Sequence, residues 1–422
     1  MYLSRSNPAA KAGMAPNSTG LMMSAVSTHN PSPIAVIGDG QLARMMQTAA
    51  VELGQPLRLL AGSPDSSAAQ VIADITQGDY TNLDDLRRVC AGSRAVTFDH
   101  EHVPTEHLQA LLADGHSVQP GPAALQHAQD KLVMRKRLRE IGAPVPIFLP
   151  IESVDDARGF AEAVGGAVCL KARRGGYDGK GVWFPTPEEL PDLVERLLAD
   201  GVPLMAEKKV DLVRELSAMC ARTPSGEVVA WPVIESVQRD GICVAAIAPA
   251  PDLPADVAAR AQELATRIAT ELDVTGVLAV ELFETRDGAG QPEISVNELA
   301  MRPHNTGHWT QDGCTTSQFE QHLRAVADMP LGSIEPTAPF TAMANTLGAD
   351  EDPEMSLSDR CAEVWRRFPT AKFHWYGKGH RPGRKLGHVN ITGTDAAATR
   401  RAAELAAGFI VSAVWADGYP KD

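Results

Sequence analysis

The alternation of apolar and polar residues becomes regular at residue 33 and predicts an α/β arrangement from there onward. The run PIAVIG leads into the turn GDGQ, after which apolar side chains recur at helical spacing: Leu42, Met45, Met46, Ala49 and Leu53. This order predicts a strand, a glycine turn and a helix. The runs PLRLLAG and AVTFDHEHVP predict two further strands. Because strands and helices alternate, we expect a parallel sheet over residues 33–125.

Downstream patterns predict more helices and strands. The segment DKLVMRKRLREIG predicts a helix that closes at Gly142 and stops before Pro144. PADVAARAQELATRIATELD predicts a long helix, and GVLAVELFE, EISVNELA, FHWYG and LGHVNITG predict strands. The Pro-rich, acidic stretch around 331–357 is expected to be a linker.

Composition restricts the class of protein. A chain of 422 residues is too long for one hydrophobic core, so several domains are expected. The formal net charge of −14 argues against nucleic-acid binding, and no apolar run approaches the ~18 residues of a membrane span. The six cysteines are scattered without a CxxC pair, which predicts buried, reduced thiols in a cytoplasmic protein. Residues 1–32 lack a secretory signal and are expected to be a disordered extension.

Residues 170–183, LKARRGGYDGKGVW, combine four glycines with four cations. Glycines let the backbone approach a ligand closely, and successive amides beside lysines form a concavity for an anion. The segment lacks the Gly-Lys-Ser/Thr ending of a Walker A loop. A solvated hairpin is the alternative, but it leaves Tyr177 and Trp183 unexplained. We therefore predict a phosphate-binding loop.

The first glycine turn, at residues 38–40, matches the dinucleotide fingerprint only loosely. That fingerprint needs an acid at the end of the second strand, where this sequence has Ala61 and Gly62. A phosphate-bearing substrate therefore fits this sheet edge better than a nicotinamide cofactor does. Gln41 and Arg44 are placed to contact such a substrate.

Two acids in apolar runs indicate a metal site: Glu281 in AVELFE and Glu298 in SVNELA. An unpaired carboxylate is costly in such a strand, whereas two of them beside Asn297 supply the oxygen ligands that magnesium prefers. Two structural salt bridges are the alternative interpretation.

Two clusters of polar and cationic side chains follow these acids. Directly after Glu298, the run RPHNTGHW provides Arg302, His304 and Asn305 as donors for a carboxylate or a phosphate. Near the end of the chain, WYGK and RPGRK concentrate cations in an otherwise acidic protein, which indicates a second phosphate site. A solvated turn is the alternative there.

Five stretches carry a resemblance to a known family: GDGQLARMM, TFDHEHVP, KARRGGYDGKG, NELAMRPHNTGHWTQDGCTTSQFEQHLRAV and HWYGKGHRPGRKLGH. In this order they resemble the ATP-grasp ligases, and most closely the ATP-dependent carboxylases of purine synthesis. The resemblance implies ATP as co-substrate with magnesium, or manganese, as the metal. It also implies carboxylation of aminoimidazole ribonucleotide by bicarbonate through carboxyphosphate, and a homodimer.

The resemblance further implies roles for individual side chains. The nucleotide and its metal would contact His127, Lys131, Lys171, Gly176, Tyr177, Asp178, Gly179, Lys180, Gly181, Val182, Glu207, Lys208, Lys209, Val210, Glu215, Gln238, Asn297 and Glu298. The ribonucleotide would contact Gln41, Glu101, Tyr177, Asp178, Lys180, Lys378, Arg384 and Lys385. Catalysis on bicarbonate and carboxyphosphate would rest on Arg302, His304, Asn305 and Lys171, and the metal ligands would be Glu281 and Glu298.

The sequence departs from the family pattern at a few positions. His127 stands where the family commonly has Arg, and Gln238 where it often has His. Ala43 and Asp39 stand where glycine is usual. Two other functions remain open at this point: a formate-dependent transformylase of the same superfamily, and a nucleotide-binding protein without turnover.

The expected fold class is α/β with α+β elements, an ATP-grasp fold preceded by a Rossmann-like domain and followed by a small β-rich domain. We expect its segments at 1–32 (extension), 33–130 (Rossmann-like), 131–225 (small ATP-grasp subdomain), 226–335 (large subdomain with the metal site) and 336–422 (C-terminal domain).

Overall fold

A computed structural model of the chain describes residues 31–176 and 179–420, and three β-sheets organise them. The first sheet is parallel, in the order β3-β2-β1-β4, with strands β1 (Ile34–Ile37), β2 (Leu57–Ala61), β3 (Asp74–Gln77) and β4 (Ala95–Phe98). Its helices are α1 (Gln41–Leu53), α2 (Leu83–Cys90), α3 (Thr105–Ala113) and α4 (Pro122–Gln129). The predicted parallel sheet is confirmed.

The turn between β1 and α1 requires glycine for two reasons. Gly38 has φ of +106°, a conformation that other residues rarely adopt. A Cβ at this position would also lie 1.9 Å from the Asp99 carboxylate, which follows β4. The glycine therefore lets the ends of two parallel strands approach one another at the sheet's carboxyl edge.

The second sheet is antiparallel and carries the glycine-rich loop between two of its strands. Its order is β5-β8-β6-β7, with β5 (Phe148–Ile151), β6 (Val168–Ala172), β7 (Val182–Trp183) and β8 (Leu204–Lys208). The helices of this region are α5 (Lys131–Glu140), α6 (Val154–Val164) and α7 (Leu190–Ala199).

The third sheet is the largest in the described part of the chain. Its order is β14-β13-β9-β11-β12-β15-β17-β16, with β10 paired to β9. The strands are β9 (Arg214–Arg222), β10 (Val228–Ala230), β11 (Ile234–Arg239), β12 (Ile242–Ala248), β13 (Gly276–Arg286), β14 (Pro292–Ala300), β15 (Phe340–Leu347), β16 (Lys372–Trp375) and β17 (Lys385–Gly393). The helices are α8 (Ala255–Glu271), α9 (Thr310–Gly313), α10 (Gln318–Val326), α11 (Leu357–Arg367) and α12 (Ala396–Ser412).

The predicted linker at 331–357 is wrong in its central part, because β15 lies inside it. This strand is buried over most of its length and pairs with both β12 and β17. The flanking prolines and acids dominate the local composition, while the strand PFTAMANTLG is stabilised by partners about 100 and 45 residues away in sequence. β15 therefore joins the last part of the chain to the sheet that begins at β9.

The first and third sheets share a hydrophobic core. Phe98 of the first sheet belongs to the same buried cluster as Ile268 of α8 and Leu278 of β13. His322 of α10 reinforces this junction: its Nε2 lies 2.8 Å from Thr97 Oγ1, and its Nδ1 accepts from the Val277 amide at 3.1 Å. The two sheets are thereby fixed relative to one another.

Two further expectations can be compared with the structure. All six cysteines are buried and free, as predicted. No helix within residues 31–176 and 179–420 is long and apolar enough to cross a membrane. The predicted extension falls, up to residue 30, outside the described residues.

Candidate active site

A cavity of about 1180 Å³ is lined by both antiparallel sheets and the loop after β4. The second sheet contributes the glycine loop and the end of β8, and the third sheet contributes β13, β14 and the loop that follows β14. The cavity brings together these predicted site residues: Glu101, Lys131, Lys171, Gly176, Gly179, Val182, Glu207, Lys208, Lys209, Val210, Glu215, Gln238, Glu281, Asn297, Glu298, Arg302, His304, Asn305 and Lys385.

The two acids predicted as metal ligands are direct partners across the antiparallel pair β13–β14. Burial, together with the charges of Glu298 and Glu215, raises the pKa of Glu281 to about 8. Glu298 accepts from the Lys131 ammonium, with Nζ 2.9 Å from Oε1. The carboxylates of Glu281, Glu298 and Glu215 thus repel one another at this point of the cavity, which is an environment that favours a bound cation.

The donor set fits magnesium. Two carboxylates and the neighbouring Asn297 offer only oxygen as the ligand atom, and Mg²⁺ selects oxygen. In the part of the chain that the structure describes, no group of three or more His, Cys, Asp or Glu side chains is arranged for a metal. The Glu281–Glu298 pair therefore needs further oxygen ligands from a bound phosphate and from water, as is usual for magnesium at nucleotide sites.

Lys171 lies in a buried group of charges beside these acids. Its Nζ is 2.8 Å from Glu207 Oε2 and 3.2 Å from Asn297 Oδ1. Burial would raise the pKa of Glu207, but the charges of Arg135 and Lys171 outweigh it and hold that pKa at about 2. The Glu207 carboxylate, predicted to contact the nucleotide, is thus held by two protein cations. The base of a nucleotide at β8 would therefore be contacted by the backbone of this strand and by the residues that follow it.

Three side chains after β14 form a cluster of donors. Arg302 Nε donates to Glu101 Oε2 at 2.9 Å. His304 Nε2 lies 3.4 Å from Glu281 Oε1, and burial together with the charges of Arg302 and Lys385 lowers the pKa of His304 to about 3. The imidazole is therefore neutral at physiological pH. Asn305 Nδ2 is buried without a hydrogen-bond partner among the described residues, which leaves it available to a ligand.

The predicted ribonucleotide residues come from opposite ends of the chain and meet beside this cluster. Lys378, in the segment between β16 and β17, donates to Gln41 Oε1 at the start of α1. Burial and the charge of Arg384 lower the pKa of Lys378, whereas Asp99 raises it. Arg384, Lys378 and Gln41 do not line the main cavity, while Lys385 does. The charges of Arg384 and Lys385 both act on Lys378, so these three cations form one positive region that reaches the cavity at Lys385.

Asp99 is a residue of this region that the sequence reasoning missed. It is 9% exposed, and the Gly40 amide donates to its Oδ2 at 2.5 Å. Burial raises the pKa of Asp99 to about 7, against the charges of Arg302 and Lys378. The stretch TFDHEHVP predicts a polar cluster at the end of a strand, and Asp99 belongs to it, but the resemblance implies a role only for Glu101.

His127 does not line the cavity, although it was predicted to bind the nucleotide. It is buried in α4, its Nδ1 has no partner among the described residues, and burial with the charge of Arg137 lowers its pKa. It lies four residues before Lys131, and Asp130 stands between them in an extended conformation, where it ends α4 and caps α5.

Four predicted residues of the glycine-rich segment remain. Lys180 and Gly181 belong to the glycine loop but do not line the cavity. Tyr177 and Asp178 lie outside the described residues.

Comparison with protein families finds three matches in sequence order. Residues 32–129 match the ribonucleotide synthetase preATP-grasp domain, and residues 136–319 match the ATP-grasp domain. Residues 341–402 match the phosphoribosylaminoimidazole carboxylase C-terminal domain. The predicted fold class is thereby confirmed.

Individual relatives match over nearly the whole chain. An N5-carboxyaminoimidazole ribonucleotide synthase from Corynebacterium ammoniagenes is 63% identical, over 92% of this chain and 94% of that protein. One from Mycobacterium tuberculosis H37Rv is 52% identical, over 94% of both chains. Among solved structures, the Aspergillus clavatus synthase in complex with ADP and 5-aminoimidazole ribonucleotide matches with a TM-score of 0.81 at 29% identity, over 91% of this chain and 100% of that one.

Proposed function

Because the chain belongs to the family of N5-carboxyaminoimidazole ribonucleotide synthases, we propose that it carboxylates 5-aminoimidazole ribonucleotide with ATP and bicarbonate. It is a carbon–nitrogen ligase of the ATP-grasp type that acts in purine biosynthesis. The family relationship decides against the two alternatives that the sequence left open, the transformylase and the protein without turnover.

One observation carries the assignment of roles within the site. A single cavity holds the acid pair, Lys131 and Lys171 on one side and the donors Arg302, His304 and Asn305 on the other. Phosphoryl transfer to bicarbonate requires this proximity, because catalysis of such a transfer depends on positioning and on neutralising the charge of the oxygens.

The nucleotide would lie with its phosphates against the two lysines and the glycine loop. Glu281, Glu298 and Asn297 would hold magnesium, which supplies charge neutralisation at the phosphate oxygens. Lys131 pairs with Glu298 and Lys171 with Glu207, and both lysines line the cavity, which supports their role as contacts for the phosphates. Lys208 ends the strand β8, Lys209 and Val210 follow it, and all three line the cavity where the base would lie.

Arg302, His304 and Asn305 would orient bicarbonate. A neutral His304 and the unpartnered amide of Asn305 donate hydrogen bonds, and the Arg302 guanidinium neutralises the anion. A bicarbonate oxygen attacks the γ-phosphorus, and the bond from that phosphorus to ADP breaks, which yields carboxyphosphate. The exocyclic amine then takes up the carboxyl carbon and loses a proton, and phosphate leaves.

The ribonucleotide would be held where the first sheet meets the C-terminal segment. Lys378, Arg384 and Lys385 supply positive charge for its 5′-phosphate, and Gln41 and Glu101 supply polar contacts nearby. The bond between Glu101 and the Arg302 guanidinium supports a position of the amine near the proposed bicarbonate site. Tyr177, Asp178 and Lys180 complete this part of the proposal.

We further propose domain limits at residues 130, 225 and 335, a homodimeric assembly and a cytoplasmic location. Sedimentation of the purified protein tests the dimer.

The decisive experiment measures ADP release with bicarbonate and 5-aminoimidazole ribonucleotide supplied singly and together. Full turnover is expected only when both are present. Turnover that depended on formate instead of bicarbonate would contradict the proposal.

A further inference from the structure

Arg135 closes a ring of buried contacts behind the cavity. Its Nε donates to Glu207 Oε1 at 2.6 Å, and its Nη2 donates to the Asn297 carbonyl at 2.7 Å. Lys171 completes the ring, because its ammonium contacts the other oxygen of Glu207 and the side chain of Asn297. Four elements meet in these contacts: α5, β8, β6 and β14.

Burying the charged groups of this ring costs desolvation free energy. The side chain of Arg135 is 1% exposed, that of Glu207 2% and that of Lys171 6%. The ring contains two cations and one carboxylate, and Arg135 Nη1 has no partner among the described residues. Packed apolar side chains would often be at least as stable as buried ions. The arrangement therefore calls for an explanation beyond stability.

The members of the ring are neighbours of the groups that contact substrate. Lys171 faces the cavity, and Asn297 immediately precedes the metal-site acid Glu298. Arg135 itself does not line the cavity. Like Lys171, it bonds to both the strand β8 and the strand β14, but it does so from outside the cavity and through a planar guanidinium whose donors point in fixed directions.

We propose that Arg135 is a positioning residue for phosphoryl transfer, which sets the spacing between Lys171 and the metal site by bonding Glu207 and Asn297 at once. This inference rests on the proposed function of the same cavity. In this role Arg135 contacts no substrate itself and acts through Glu207 and Asn297, which line the cavity.

A guanidinium is required for this role. Arg135→Lys keeps the positive charge, but one ammonium on a flexible chain cannot hold both acceptors in the same fixed geometry. A displacement of about 1 Å at a phosphoryl-transfer site can reduce the rate by on the order of 100-fold. We therefore expect kcat for ADP release to fall by about 10-fold to 100-fold in this variant. The dissociation constant of ADP with magnesium should rise, and the KM for the ribonucleotide should stay within twofold of wild type.

The matched control is Arg137→Lys on the same helix. Arg137 is 36% exposed and pairs with Glu140 and Glu271 at the surface, so this variant should keep wild-type kinetics. Thermal unfolding of both variants separates activity from folding. Wild-type kcat in a folded Arg135→Lys protein would overturn the proposal, as would an effect confined to the KM of the ribonucleotide.

A double variant tests the route of the effect and remains useful if Arg135→Lys does not fold. Arg135→Met and Glu207→Gln are combined, which removes one cation and one anion together. Because Arg135 acts in part through Glu207, the loss of kcat in the double variant should be smaller than the product of the losses in Arg135→Met and Glu207→Gln measured singly. Losses that multiply would contradict the ring. Binding of ADP with magnesium is measured in parallel for every variant. If turnover of the wild-type protein does not depend on bicarbonate or ribonucleotide, the proposed function fails, but the binding data still test the role of Arg135.

Discussion

Glu281 and Glu298 lie directly opposite one another across two antiparallel strands, and this pairing places both carboxylates at one point of the cavity wall. The register shifts immediately after Glu281, so the ladder is irregular at this pair. Irregular pairing next to an active site commonly redirects a side chain. The position of the acid pair is therefore a property of the strand register as well as of the two residues.

Glu298→Gln should reduce ATP turnover by on the order of 100-fold or more, because a neutral amide cannot balance the charge of the metal near the transferring phosphate. ADP release at saturating substrate measures the effect, and circular dichroism checks the fold. Glu293→Gln, an exposed acid on the same strand, is the control and should behave like wild type. Unchanged turnover in Glu298→Gln would remove this residue from the metal site.

Arg302→Ala should abolish the part of phosphate release that depends on bicarbonate. The substitution removes the cation that would neutralise bicarbonate, and it leaves the Glu101 carboxylate, 12% exposed, without its partner. Phosphate release at varied bicarbonate measures the loss. Arg158→Ala, at an exposed position of α6, should show no such change. A normal bicarbonate response in Arg302→Ala would place that substrate elsewhere.

Lys378→Ala should raise the apparent KM for the ribonucleotide about 10-fold to 100-fold, the effect of losing one charged hydrogen bond worth about 1.5–3 kcal/mol. The KM for ATP should change little, because Lys378 lies beside Gln41 rather than in the main cavity. Lys372→Ala on β16, an exposed lysine, is the control. Equal KM values for both variants would mean that the second phosphate site is misplaced.

Asp99→Asn should change the pH dependence of stability. The native pKa of Asp99 is raised to about 7 by burial, from an ordinary value of 3.8, so the native state binds the proton more tightly than the unfolded chain. The stability from this proton is complete below about pH 3.8 and is lost as the pH rises toward 7. The variant has no such proton, and its free energy of unfolding should fall less than that of wild type between pH 4 and 7.

Urea unfolding of both proteins at several pH values measures this difference. Asp65→Asn, at an exposed position of the first sheet's loops, serves as the control and should follow wild type. Parallel curves for wild type and Asp99→Asn would show that the carboxyl group titrates normally in the folded protein.

Local patterns were sufficient for most of the elements. Apolar periodicity located β1, β2 and β4 of the first sheet, the long helix α8 and the pair β13–β14, because each buries one face or both within a short segment, whereas the mostly exposed β3 gave no such pattern. Polar residues inside apolar strands also identified the acid pair, since only a bound cation or a partner makes them tolerable there. The motif after β14 was found for the same reason.

The sequence could not determine contacts that depend on distant partners. The prolines and acids on either side of β15 predict a linker. The strand forms because it pairs with β12 and β17, which are distant in sequence. The resemblance implies a nucleotide contact for His127, but its side chain is buried in α4 and does not line the cavity.

The amino-acid sequence by itself therefore determined most of the elements, the glycine loop and the chemical type of each site residue, because these depend on neighbours a few positions away. Only the tertiary structure decided which of these groups face one another. Arg135 bonds Glu207 and Asn297, and Asp99 lies near Arg302 and Lys378, through packing between residues far apart in the chain. The free energy of such a contact depends on burial and on the distance between the partners, and both are set only when the sheets have assembled.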